Sequence, residues 1–216
     1  MKTPLILFFI LFQLTALAQR CDKTVSWGHT SFCLPEIAGL KEGYSNSNIQ
    51  ALADLSKYKG NQILGVYLLP TDFESLTNGA SSTMKEYCKI YGVSQLKDYT
   101  INQTLYNELE KVIRSKLTIT EEFADKIEEY YDIDELDTTI TLENYSLNET
   151  SNTTVMLTNM IYKGVISTQI ITISYLLVRE RVVCLAYYVD FEGKDSIKRA
   201  KRGNNLLLLS IQNANR

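Results

Sequence analysis

Histidine is almost missing from this sequence: His29 is the single one among 216 residues. Zinc sites built on several imidazoles, and nucleophile–histidine couples, are reduced to that one candidate. Its setting between Gly28 and Thr30 reads as an exposed turn. Proline is nearly as scarce, at three residues, so no proline-rich linker divides the chain. Neither sign of charge dominates: 22 basic residues stand against 25 acidic ones, without the basic stripe of a nucleic-acid binder. The ten glycines build no Walker loop, no G-x-G-x-x-G and no G-x-S-x-G elbow, and no H-E-x-x-H occurs. No internal repeat is visible, and no cofactor is implied.

Long apolar runs are missing too, with one informative exception at the start. Lys2 precedes eight uninterrupted apolar residues, Leu5 to Phe12, and Ala16-Leu17-Ala18 supplies a small-x-small end. A charged start, a short apolar middle and such an end define a cleavable secretory signal over residues 1–18. A spanning helix needs about 20 apolar residues, and Gln13 already breaks this run. A lipoprotein reading would need Cys21, but Gln19 and Arg20 are too large and polar for a lipidation box. The mature chain is expected to begin at Gln19 as one domain over residues 19–216, with no integral membrane segment. Loss of Lys2 leaves 21 basic against 25 acidic residues, a net of −4.

Four cysteines survive cleavage: Cys21, Cys33, Cys88 and Cys184. Export permits disulfides, and four cysteines allow three pairings. Cys21 with Cys33 is favoured, because both lie in the least regular stretch. Cys184, inside Val182-Val183-Cys184-Leu185, reads as a buried free thiol.

Residues 19–45 read as irregular, with a short strand at Thr30–Leu34 ending at Pro35. Asn46 or Ser47 caps a helix carrying Ile49, Leu52, Ala53 and Leu55. Gln62–Leu69 reads as a central strand, residues 71–83 as turn, and Glu86–Val93 as another strand. Thr104 is the expected cap of a helix with an apolar face of Leu105, Leu109, Val112, Ile113 and Leu117. Thr118 and Glu121 match a capping box opening a further helix with Phe123, Ile127 and Tyr130 or Tyr131 inward. Residues 132–152 turn acidic, then rich in Asn, Ser and Thr, and read as a surface strand or loop. Alternation returns from Val155, Lys163-Gly164 makes a turn, and Gln169–Val178 with Val182–Phe191 predicts an antiparallel hairpin through Arg179-Glu180-Arg181. The second of these strands is apolar on both faces, so helices must cover both sides of the sheet. A last amphipathic helix fits residues 196–213, capped by Asp195 or Ser196, with Ile197, Ala200, Leu207, Leu208 and Ile211 inward and Gly203 a candidate kink. The expected class is α/β (α+β): a largely antiparallel sheet flanked by helices on both faces and closed by a C-terminal amphipathic helix.

That order of elements, carried by Thr154–Tyr162, Gln169–Val178, Val182–Phe191 and the helix from Ser196, resembles the PsbP-like α/β/α sandwich. The chain also looks like small exported hypothetical proteins of Bacteroidetes-type bacteria, whose leaders often end in Ala-Gln. The resemblance implies a fold and non-enzymatic roles: accessory subunits, envelope proteins, chaperone-like binders. The acidic, Asn-rich stretch around 132–152 departs from the pattern, and a shared fold does not transmit function.

Among chemical constellations, Asp132, Asp134, Glu135 and Asp137 suggest calcium, but Leu136 takes the fifth position and Asp137 replaces the required Gly of an EF-hand loop. They read as a solvated loop. Lys194, Lys198, Arg199, Lys201 and Arg202 form a basic run; Lys198, Arg199 and Arg202, with Tyr187 and Tyr188, are the candidate binding surface. Asn102, Asn144, Asn148 and Asn152 are sequons, three of them within nine residues, and Thr138 and Ser196 sit in short O-glycosylation signals. The leading functional expectation is an exported, non-enzymatic binding or accessory domain of the cell envelope, acting on a protein or envelope component and not on nucleic acid. The alternatives are a carboxylate-based hydrolase of glycan or peptide, and an immunity or chaperone-like protein.

Overall fold

The computed structural model describes residues 21–55, 57, 59–117, 139–162 and 165–216. The leader, the helix expected from Thr118, the acidic group Asp132, Asp134, Glu135 and Asp137, Thr138 and the Lys163-Gly164 turn lie outside the described residues.

The chain is mixed α+β. The strand expected at Thr30–Leu34 is β2 (Thr30–Pro35), and it pairs antiparallel with β1 (Cys21–Trp27), which forms where irregular structure is expected. There follow β3 (Lys41–Glu42), α1 (Ser47–Leu55), β4 (Asn61–Leu68), α2 (Pro70–Thr77), β5 (Glu86–Val93) and α3 (Gln103–Ser115). The last part is β6 (Ile140–Tyr145), β7 (Ser151–Tyr162), β8 (Val165–Val178), β9 (Arg181–Asp190) and α4 (Lys194–Ala214). Seven strands form one antiparallel sheet in the order β3-β4-β5-β9-β8-β7-β6. Strand β4 is therefore second from an edge, not central. From Ile63 on it is nonetheless buried without a break, because it is covered on both faces, by the β1–β2 hairpin and by α1 and α2.

Strand β9 shows how the sequence specifies two cores. Val183, Leu185, Tyr187 and Val189 pack with Ala200, Leu207, Leu208 and Ile211 of α4. Tyr188 points to the opposite side with α1 and α2, and Val182 does so with Tyr106 of α3. Helix α4 runs unbroken through Gly203, where a kink was a candidate. A Cβ there would stand 2.4 Å from the Tyr187 ring, so the glycine serves close approach instead. Gly92 does the same for Trp27, whose ring lies 2.3 Å from the position of a Cβ.

Residues 71–83 form no simple turn. Pro70, read as the end of a strand, is also the first turn of α2, where its missing N–H costs nothing and its fixed φ suits a helix. Asn46 caps α1, its Oδ1 accepting from the Asn48 and Ile49 amides at 3.0 and 3.3 Å. Asn102, not Thr104, caps α3, accepting from Leu105 N–H at 2.9 Å. With that start Tyr106 is the buried residue of α3, while Leu105 and Val112 are about half exposed, at 49% and 51%. The β8–β9 turn has both central residues left-handed, Arg179 at φ 46° and Glu180 at 59°. That is the two-residue hairpin geometry usually given to Asn or Gly. Long-range bonds hold it: Arg179 Nε donates to Asn215 O at 3.0 Å, and Ile101 N–H donates to Glu180 O at 2.9 Å.

Candidate functional site

The first residues of β1 and the edge strand β3 meet beside α2 and enclose a cleft of about 370 Å³. A disulfide between Cys21 and Cys33, with Cα atoms 5.4 Å apart, clips the open end of the hairpin and fixes the start of β1. The Asn215 side chain grips the same point, accepting from Cys33 N–H at 2.7 Å and donating to Cys33 O at 2.8 Å. Asp22 and Lys23 follow directly. Lys23 Nζ donates to Glu42 Oε2 at 3.3 Å, while Glu42 Oε1 accepts from the Tyr44 and Val66 amides at 2.9 and 3.3 Å. The Glu42 side chain is only 4% exposed.

Glu42, Asp22 and Glu36 bring three carboxylates to the cleft; Lys41 lines it beside them, and Lys23 pairs with Glu42 at its border. Its floor is apolar and aromatic: Ile37, Leu40, Tyr67 and Phe73. Tyr67 is locked, donating its hydroxyl to Pro35 O at 2.8 Å. Burial pushes the Tyr67 phenol far above its ordinary range, and the Glu42 charge, the Cys88 thiol and the Asp22 charge add to the effect. Two ammonium groups of the chain already sit against rings here. Lys23 Nζ lies 5.6 Å from the Tyr44 centroid, and Lys41 Nζ lies 5.3 Å from that of Phe73 while pairing with Glu74 at 3.4 Å.

A second cleft, of about 320 Å³, lies where the end of α4 meets the β6–β7 connection. Its polar groups bond one another: Asn148 Nδ2 donates to Gln212 Oε1 at 2.8 Å, and Gln212 Nε2 donates to Thr150 Oγ1 at 2.7 Å.

The candidate surface of Lys198, Arg199, Arg202, Tyr187 and Tyr188 does not come together as one face, although Tyr187 and Arg199 share Glu86. Consecutive strand residues point to opposite faces. Tyr187 is buried under α4, its hydroxyl donating to Glu86 Oε1 at 2.5 Å. Tyr188 stacks on Tyr87 across the sheet, with centroids 4.4 Å apart, and Lys89 Nζ lies 5.5 Å from both rings. Burial lowers the Lys89 ammonium below its ordinary value. Lys198 pairs with Asp195 at 3.2 Å, Arg199 reaches Glu86 and Glu192 at 3.5 Å, and Arg202 is exposed. His29 is exposed in the β1–β2 turn.

The sequons also divide. Asn152 is fully buried, donating to Glu110 Oε1 at 3.2 Å and to Asn144 Oδ1 at 3.1 Å. Asn144 and Asn148 are half-buried, and Asn102 is exposed but spends its Oδ1 on the α3 cap. Ser196 is 2% exposed and accepts from Glu192 N–H at 2.8 Å, so the folded chain does not present it for glycosylation.

Sequence reasoning missed Asp22, Glu36, Lys41 and Glu42. Their only signal was nearness to Cys21 and Cys33, since isolated charges in a stretch read as irregular carry no periodicity.

The architecture defines a class, an α+β protein with a seven-stranded antiparallel sheet and a disulfide-clipped hairpin. No family model and no curated protein matches the chain. Two solved structures align over most of it: the Saccharomyces cerevisiae Ran-binding protein Mog1p, with TM-score 0.34 at 11% identity, covering 89% of this chain and 94% of that one, and a mutant form of Mog1, with TM-score 0.33 at 11% identity, covering 89% of each. Likeness at that level carries no argument about what this chain binds.

Proposed function

We propose that this chain is exported and acts as a non-enzymatic binding or accessory domain of the cell envelope, engaging a protein or envelope component through the cleft beside Glu42. The observation that carries the reading is Glu42 itself, buried with both oxygens occupied by an ammonium and two backbone amides. A carboxylate held in this way is already ion-paired with Lys23 and fixes the wall of the cleft. It suits a rigid recognition site better than proton transfer, which needs a group within hydrogen-bond reach of the substrate proton. The Cys21–Cys33 disulfide supports the destination, because such bonds persist in oxidising compartments, and it follows closely on the leader read at residues 1–18.

The test is recovery of the protein from the cells that make it, followed by N-terminal sequencing and cross-linking of the exported fraction. The expected result is a mature chain beginning at Gln19, cross-linked to one stoichiometric partner that Phe73→Leu weakens. An uncleaved chain retained in the cytoplasm would refute export. Hydrolysis of glycan or peptide by the purified domain, abolished by Glu42→Gln, would replace the binding reading with the carboxylate-hydrolase one.

A further inference from the structure

We infer that the cleft between β1, β3 and α2 receives a lysine or arginine side chain from a protein partner, its alkyl stem against Leu40 and Phe73 and its charge at the exposed Asp22 and Glu36 carboxylates of the rim. This rests on the binding reading above and adds the chemistry of the partner.

Size is the first argument. Ligand sites run from roughly 300 to 1,000 Å³, and about 370 Å³ is at the small end, the scale of one long side chain. Composition is the second. Lysine and arginine carry an apolar stem and a charged head; the cleft offers the half-buried Leu40 and Phe73 beside the exposed carboxylates of Asp22 and Glu36, with Glu42 behind them already paired with Lys23 and with Lys41 the lining ammonium. An acidic side chain would meet like charge there, and like-charge contact is strongly selected against at interfaces.

The third argument comes from the chain's own cations. Lys23 and Lys41 each set an ammonium over a ring and against a carboxylate within the cleft or at its border. That ring-and-carboxylate arrangement is the one that recognises alkylammonium and guanidinium groups. It has formed twice here from residues on different elements. The Tyr67 phenol, raised by burial first and then by Glu42, Cys88 and Asp22, reports the same negative local field.

The disulfide gives the rim its rigidity. Asp22 follows Cys21, and its backbone is held by the Cys21–Cys33 bond while Asn215 holds Cys33. A preorganised rim loses less entropy on binding than a mobile one.

The probes are fluorescent hexapeptides alternating glycine with lysine, arginine or glutamate, read by anisotropy against the disulfide-intact mature chain at low and physiological ionic strength. The decisive variant is Asp22→Asn with Glu36→Gln; both residues are exposed, so folding is retained. The control, Glu108→Gln with Asp195→Asn, removes the same charge from exposed positions on α3 and α4. The lysine and arginine peptides are expected to bind about tenfold or more tightly than the glutamate peptide, and to lose about tenfold with the cleft variant but not with the control. Equal losses in both variants, or no preference among the peptides, overturn the inference. The cross-linked partner separates this failure from that of the binding reading. A partner retained by the Asp22/Glu36 variant sinks the cationic side chain and leaves binding intact, whereas absence of any partner sinks the binding reading itself.

Discussion

Two kinds of residue carry this structure by what they cannot change. Gly203 lies in the middle of α4, where Ala would improve helix propensity by about 1 kcal/mol. A Cβ at 2.4 Å from the Tyr187 ring reverses the sign, because overpacking a filled core typically costs about 1–3 kcal/mol. Tyr187 has little room to retreat, being 2% exposed and tied to Glu86. Gly203→Ala is therefore expected to lower stability in denaturant titration, and adding Tyr187→Leu to it to restore part of the loss; a stabilised Gly203→Ala would show that the ring moves freely. Cys88 and Cys184 are the second kind. Both are buried, on opposite faces of the sheet, and burial pushes Cys184 up to about 12 and Cys88 well above its ordinary range. Only a thiolate attacks a disulfide reagent, so the folded chain at pH 8 is expected to show no reactive thiol. Denaturation without reductant should reveal two, and reduction four. Rapid labelling of Cys184 in the native state would contradict its place in β9.

At the scale of elements, the β1–β2 hairpin depends on its clip. It forms its own two-stranded sheet and reaches the main core through Trp27, Phe32 and Leu34. Closing a loop of this length removes about 3 kcal/mol of unfolded-state freedom. Replacing Cys21 and Cys33 by serine is thus expected to lower the melting temperature by about 6–12 °C for a chain of this size. Hydrogen exchange should rise first in β1. An unchanged melting temperature would mean that Asn215 and the core contacts already hold the hairpin alone. The same hairpin marks the limit of sequence reading. Strand β9 was legible because it is apolar on both faces, and α4 because its buried residues recur at helical spacing. Strand β2 was legible at Thr30–Leu34, but its partner β1 was not, because Asp22, Thr24 and Ser26 point to solvent and leave too few buried positions to make a pattern. Helix α2 was hidden for a different reason. Leu76 is its single buried residue, so it has almost no apolar face, and its polar residues match turn composition. The Arg179-Glu180 turn was correctly placed without the expected residue types, because side-chain and backbone bonds from Asn215 and Ile101 support a conformation that local preference disfavours. The cleft was illegible because its charges come from strands and loops joined only in the fold.

For the molecule as a whole, tyrosine makes stability depend on pH from the alkaline side. The chain has 14 tyrosines, and the sheet buries several of them in both cores. Burial is the main cause that raises Tyr67, Tyr87, Tyr91, Tyr106 and Tyr187 far above the ordinary tyrosine range, and Tyr188 to about 12. Neighbouring charge adds to it, from Glu42 at Tyr67 and from Glu86 at Tyr187. A group whose folded pKa is raised contributes stability that is fully present below its unfolded value, about 10 for tyrosine. That contribution is lost as pH climbs from there towards the folded value. In the window between, the unfolded chain has released protons that the folded chain still holds, so stability falls with rising pH. Each phenol contributes up to about 1.4 kcal/mol per pH unit, and six acting together amount to roughly 8 kcal/mol per unit, comparable to the whole stability of an ordinary domain. The expected outcome is cooperative unfolding between about pH 10 and pH 11. The rise in absorbance of ionised tyrosine should coincide with loss of the far-ultraviolet circular dichroism of the sheet. Gradual ionisation of the buried phenols through pH 10 with the sheet intact would show that water reaches them, and that neither core is as closed as the packing of β9 between its helices requires.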